Sequence, residues 1–113
     1  MVERQLTLEG GALYCDLGSL DPGGWQVLDC SLRLTGVLPQ RRVAVCVEVL
    51  EGDVVRGTRI FALPARQGPE AMDVVLRGIR FYLPESLSPR RLTVRSDAHY
   101  LERGERCLLE GQN

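Results

Sequence analysis

Apolar and polar residues alternate with a period of two through much of this chain. The clearest case is Arg42–Ala62, RVAVCVEVLEGDVVRGTRIFA. Val43, Val45, Val47 and Val49 repeat for four pleats, which marks a strand with one face against a core. Gly52-Asp53 supplies a two-residue turn with glycine in the first central place, the type II′ pattern that suits strand twist. The turn predicts a register: Glu51 opposite Val54, Val49 opposite Arg56, Val47 opposite Thr58, Val45 opposite Ile60 and Val43 opposite Ala62. On the other face it sets Leu50 against Val55, Cys46 against Arg59 and Ala44 against Phe61.

Five more segments carry the same alternation. Gln5–Leu8 is a short opening strand, broken by Gly10-Gly11. Ala12–Leu17 follows, and then a loop dense in turn formers over residues 18–24. Trp25–Thr35 is a long strand with Leu28, Cys30, Leu32 and Leu34 in one row, ending before Gly36 and Pro39. Ala71–Leu83 changes phase midway: Met72, Val74 and Leu76 are even, Ile79, Phe81 and Leu83 odd. Gly78 stands at the change and predicts a β-bulge or bend. Leu92–Tyr100 is the last strand. No stretch holds a 3.6 period over three turns. The pattern predicts an all-β, antiparallel two-sheet sandwich of about seven strands. It occupies residues 1–101 as a single domain, and residues 102–113 form a charged tail expected to fray.

At 113 residues and 44% apolar content, the chain can bury a core without metal or disulfide. No run approaches the ~18 apolar residues of a membrane span. The start MVERQLTLEG has neither a charged-then-apolar leader nor a small-residue cleavage site. A cytoplasmic place is therefore the default expectation, with cell-envelope association left open. The net charge of −1 argues against a nucleic-acid partner. All fourteen basic residues are arginine, which fits GC-rich coding bias as well as anion recognition. Pro39-Gln40-Arg41-Arg42 and Pro89-Arg90-Arg91 read as strand entries with arginines keeping the rim wet.

Of the four cysteines, none lies in a CxxC pair, and His99 is the lone histidine, so no metal site is expected. No cofactor is expected either. Cys30 and Cys46 should point in opposite directions and stay unbonded to each other. The derived register sets Cys46 beside Arg59, a cation that would activate a thiol; an inert packed thiol is the alternative. Asp97 and His99 share a face at i,i+2, as a carboxylate orienting an imidazole would, yet no nucleophile motif accompanies them. The acidic residues Glu48, Glu51, Asp53, Glu70 and Asp73 lack both calcium-loop spacing and a sugar-stacking platform, and read as a solvated face.

The succession RRVAVCVEVLE, GTRIFALPA, MDVVLRGIRFYLPESL and RRLTVRSDAHYL, over Leu32–Leu101, resembles small β-sandwich proteins of anaerobic Firmicutes with no assigned function. That resemblance implies an immunoglobulin-like sandwich and brings no activity, cofactor or catalytic residue. Members of the group are richer in cysteine than this chain.

The hairpin adds one more expectation. With its valine row inward, its outer face would carry Ala44, Cys46, Leu50, Val55 and Phe61. Only Glu48 and Arg59 are charged there. An apolar patch of this kind marks a contact surface, so Ala44, Leu50, Val55 and Phe61 are the candidate interface of a symmetric homodimer, with Phe61 as anchor. A non-catalytic structural or protein-interaction module is the leading function. The alternatives are a small enzyme or redox protein using Cys46 or His99, and a carbohydrate- or anion-binding module.

Overall fold

The computed structural model describes residues 2–7, 13–20, 26–84, 86 and 88–101. The alternating segments form seven strands: β1 (Val2–Thr7), β2 (Leu13–Leu20), β3 (Gln26–Val37), β4 (Val43–Glu51), β5 (Val54–Leu63), β6 (Met72–Leu83) and β7 (Arg90–Tyr100). They pack as two layers, a three-stranded sheet ordered β1-β3-β6 and a four-stranded sheet ordered β2-β7-β4-β5. The all-β sandwich expected from the alternation is therefore present. One pairing departs from the antiparallel expectation: β1 runs parallel to β3, from Val2 beside Cys30 to Thr7 beside Thr35. Strands β2 to β7 are all joined antiparallel. The strand order is also not the immunoglobulin one, in which the first strand pairs with the second and the sixth with the seventh. Here β7 lies between β2 and β4.

The core lies between the layers. The even row of β3 from Cys30 to Leu34 faces the four valines of β4, with Ile79, Phe81 and Leu83 of β6 and Leu92, Val94 and Ala98 of β7 around them. Leu34, Val49, Leu83 and Leu92 are wholly shielded from water. Burying an aliphatic side chain of this size stabilises the fold by roughly 1.5–3 kcal/mol, and the period-two pattern exists because only alternate residues of each strand collect that gain.

Gly52 turns the hairpin at φ +61°, as expected of the first place in a type II′ turn. The ladder begins in the predicted register, with Glu51 opposite Val54 and Leu50 opposite Val55. It then slips by one residue. Val49 pairs with Gly57 rather than Arg56, Val47 with Arg59, Cys46 with Ile60, Val45 with Phe61 and Val43 with Leu63. The predicted pairs from Val49 to Val43 are thus each off by one. Arg56 is the extra residue of a β-bulge, and its Nε donates to Glu51 Oε1 at 2.9 Å. The slip reverses every later side chain of β5. Phe61 and Leu63 now pack against the core cluster. Gly57 comes to lie under Phe81 of the opposite layer, where a Cβ would stand 2.8 Å from Phe81 Cδ1. The bulge puts glycine at that close approach and places two large apolar side chains inside, a gain the unslipped register would forgo.

Gly78 behaves as expected. At φ +70° it interrupts β6 between the pairs Cys30–Ile79 and Leu32–Leu76, so that the even and odd rows of β6 both face inward. Two other boundaries move. Residues 18–20, expected in a loop, extend β2 beyond a register shift after Asp16. Strand β3 continues past Gly36 to Val37, because Gly36 takes φ +66° and its N–H donates to Asp73 Oδ1 at 3.1 Å. Trp25, Cys107 and the tail at 102–113 lie outside the described residues.

The arginine pairs do more than keep the rim wet. Arg90 is buried: its Nε and Nη2 both donate to Gln26 Oε1, at 2.9 and 2.7 Å, and Nη2 also donates to the Pro84 carbonyl at 2.6 Å. Gln26 belongs to β3 and Arg90 to β7, so this fork clasps one layer to the other. Arg41 lies over the Tyr100 ring, 4.0 Å from its centroid, a cation–π contact.

Candidate interaction face

The outer face of the four-stranded sheet follows from the register. Across β5, β4, β7 and β2 it presents Ile60, Cys46 and Asp97 in one row, and Thr58, Glu48, Arg95 and Tyr14 in the next. Val55, Leu50, Thr93 and Asp16 make a third row. The β5 side is apolar and the β7–β2 side is charged.

On the charged side, Arg95 is the hub. Its Nη1 donates to Glu48 Oε1 at 3.0 Å, its Nε to the Tyr14 hydroxyl at 3.2 Å, and its Nη2 stands 3.6 Å from Asp97 Oδ2. Arg91 forks onto Asp16, with Nε 3.2 and 3.0 Å from the two carboxylate oxygens. The Tyr14 hydrogen bond raises the affinity of Arg95 for its proton, and the Asp16 hydrogen bond does the same for Arg91. These are surface pairs, which orient side chains while adding little stability each.

On the apolar side the candidate residues divide. Val55 is exposed, Leu50 is half-buried beside it, and Ala44 is covered in the row between Ala62 and His99. Phe61 is not on this face. The bulge at Arg56 turns it inward, and Ile60 takes its place, 39% exposed. Val54, 49% exposed, pairs with Glu51 and belongs to the other side of the hairpin tip. Ile60 was missing from the expected set because a hairpin register carried straight from the turn gives the wrong parity beyond residue 56. The warning was Gly57: glycine inside a strand often marks a bulge or a close backbone approach.

The proposed thiol pair separates for the same reason. Cys46 faces outward between Ile60 and Asp97, whereas Arg59 shares the inward side with Val47. Arg59 Nη1 reaches the Arg80 carbonyl of the opposite layer at 3.2 Å. Glu48 and Arg59, expected together on the outer face, sit on opposite faces, and Glu48 pairs with Arg95. His99 stands exposed opposite Ala44, and its neighbour Asp97 is held by Arg95.

Cys15, Cys30 and Cys46 are not in disulfides. Cys30 faces the core from the three-stranded sheet and Cys46 faces outward from the other, so the two sulfurs point apart. Burial, and then the Asp29 carboxylate beside it, push the Cys30 thiol above its ordinary range. Below that range folded and unfolded chains both keep the proton. As pH rises, the unfolded chain ionises first, so the Cys30 contribution to stability is lost as pH climbs through the raised value. Urea unfolding between pH 7 and pH 10 should therefore show a steeper alkaline fall for the wild type than for Cys30→Ala. Equal slopes would contradict the burial argument.

Among the described residues, no three His, Cys, Asp or Glu side chains are placed to hold a metal ion, and no helix is long and apolar enough to cross a membrane. The geometry defines a two-layer β-sandwich that offers a broad, half-apolar sheet face. The family model CsxB, exosporium protein B, matches residues 22–107, and the chain belongs to that family. Comparison with curated proteins and with solved structures found no match.

Proposed function

We propose that this chain is a non-catalytic building block of the exosporium, the outer layer of a spore, and that it associates with copies of itself through the outer face of the four-stranded sheet. Membership of the exosporium protein B family over residues 22–107 carries the reading. The sheet face supports it: Val55 and Ile60 leave apolar surface at the edge strand β5, bordered by the ordered charges of Glu48, Arg95 and Asp97. A central apolar area with a polar margin is the usual anatomy of a protein contact. The residues once paired for chemistry lack the arrangement it needs, since Cys46 and Arg59 occupy opposite faces of their sheet.

Two measurements test the proposal. Antibody against the chain should label the outermost layer of spores from the source organism; labelling confined to vegetative cells would overturn the exosporium assignment. Light scattering on the purified chain should show a dimer or larger species, and Ile60→Glu should return it to monomer without changing its melting temperature by more than a few degrees, since Ile60 is outside the core. A monomeric wild type at tens of micromolar, or an Ile60→Glu protein that still associates, would overturn the interface. Phe61→Glu should instead unfold or strongly destabilise the chain, because that side chain packs on the core.

A further inference from the structure

At one end of the sandwich the two layers part around a cavity of about 170 Å³, lined by Val37, Val43, Leu63, Pro64 and Val74 with Arg41 and Arg66. Aliphatic cavities of roughly 150 Å³ accept a benzene-sized guest, so a single leucine-sized side chain fits. The two arginines give the cavity a charge preference. Arg66 Nη2 donates to the Glu70 carbonyl at 3.0 Å and also to the Val37 carbonyl, while its Nε is buried with no acceptor. Arg41 rests on the Tyr100 ring. Among the described residues neither guanidinium pairs with a carboxylate. A buried donor left without an acceptor costs about 1–3 kcal/mol, which a carboxylate guest would recover. The matching chemistry is an apolar side chain with a carboxylate beside it.

We infer that the guest is the chain's own C-terminal segment, Leu108-Leu109-Glu110, with a leucine in the cavity and Glu110 facing Arg41 and Arg66. Where the described chain ends supports this source. The Leu101 N–H donates to the Arg42 carbonyl at 3.0 Å, so the polypeptide leaves the sandwich one residue from Arg41, at the cavity's rim. Six residues lie between Leu101 and Leu108, and the seven steps from one to the other can span roughly 23 Å when extended. Cys107-Leu108-Leu109 is the apolar run of this tail, and Glu110 follows it directly. A tether this short holds the guest at millimolar effective concentration, which favours the chain's own tail over one from a neighbour.

The test uses the full chain, with the methyl resonances of Val37, Val43, Leu63 and Val74 as reporters and 4-methylpentanoate as a probe carrying the same chemistry. In the Leu108→Ser, Leu109→Ser double variant the reporters should shift, while backbone resonances of the central strands stay in place. The probe should bind that variant at least about five-fold more tightly than the wild type, because the tail no longer competes. Glu110→Gln should shift the same reporters in the same direction, and Arg66→Gln should weaken the probe in the double variant. Four results would overturn the inference. They are reporters that ignore the tail substitutions, equal probe affinity for wild type and double variant, equal affinity for the neutral 4-methylpentanol, and wild-type reporter shifts that change on dilution. The last would assign the guest to a second copy.

Discussion

Gly57→Val should lower the stability of this sandwich by about 1–3 kcal/mol, the usual cost of forcing extra atoms into a packed interior. A Cβ at residue 57 falls 2.8 Å from Phe81 Cδ1, and Phe81 is buried at 4% exposure in the opposite layer. Neither backbone can retreat cheaply, since Gly57 is laddered to Val49 and Phe81 to Leu28. The strain should be specific to this ring. Phe81→Leu alone removes core contacts and destabilises, but combined with Gly57→Ala it should cost less than the sum of the two single changes, because the smaller side chain makes room for the new methyl. Urea unfolding of the four proteins closes the cycle. Strict additivity would mean that the ring and the glycine do not press on one another.

The second large effect is expected at Arg90. Removing its fork with Arg90→Met should cost about 1.5–3 kcal/mol, the range for hydrogen bonds that involve a charged group. The Gln26 amide oxygen and the Pro84 carbonyl would lose a donor in a place where water has little access. Arg90→Lys keeps the charge without the planar fork, and should recover less than half of the loss. Because the clasp joins β3 to β7, the exchange of backbone amides near both ends of it should speed up together. Faster exchange in β7 alone would show that the contact does not couple the layers.

What the sequence made legible, and what it did not, divides along a physical line. Alternation gave the strands because burial of one face imposes a period of two. The Gly52-Asp53 turn gave the tip of the hairpin because only a few residue pairs accept that geometry. Gly78 gave its bulge because the apolar row changes parity around it. The bulge at Arg56 escaped because no parity change accompanies it within β5: Phe61 and Leu63 are apolar, and so are Ile60 and Ala62, so either row could have faced inward. The tie is broken by Phe81, distant in sequence, which leaves room for nothing but glycine at residue 57. Arg90 escaped for the same kind of reason. Its acceptor Gln26 lies 64 residues away, and nothing next to Pro89 distinguishes a clasping arginine from a wetted one. The candidate face was thus half legible. Its existence on the hairpin was read from the pattern, its anchor was misplaced by one residue, and the Arg95 hub depends on a three-strand alignment that no local pattern encodes.

The position of β7 has a consequence for how the protein is made. Synthesis proceeds from the N-terminus, so β7 is the last of the described strands to emerge, yet it supplies the partner for both β2 and β4. Until it arrives, β2 has no neighbour in its sheet, and the β4–β5 hairpin keeps one open edge along the valine row. A nascent chain halted before Arg90 would expose that edge together with the half-built core, the condition that favours aggregation. Folding of this sheet must therefore wait until β7 has emerged and then close contacts between strands about 80 residues apart, such as Tyr14 with Arg95. Chains dominated by such distant pairings fold in milliseconds to seconds.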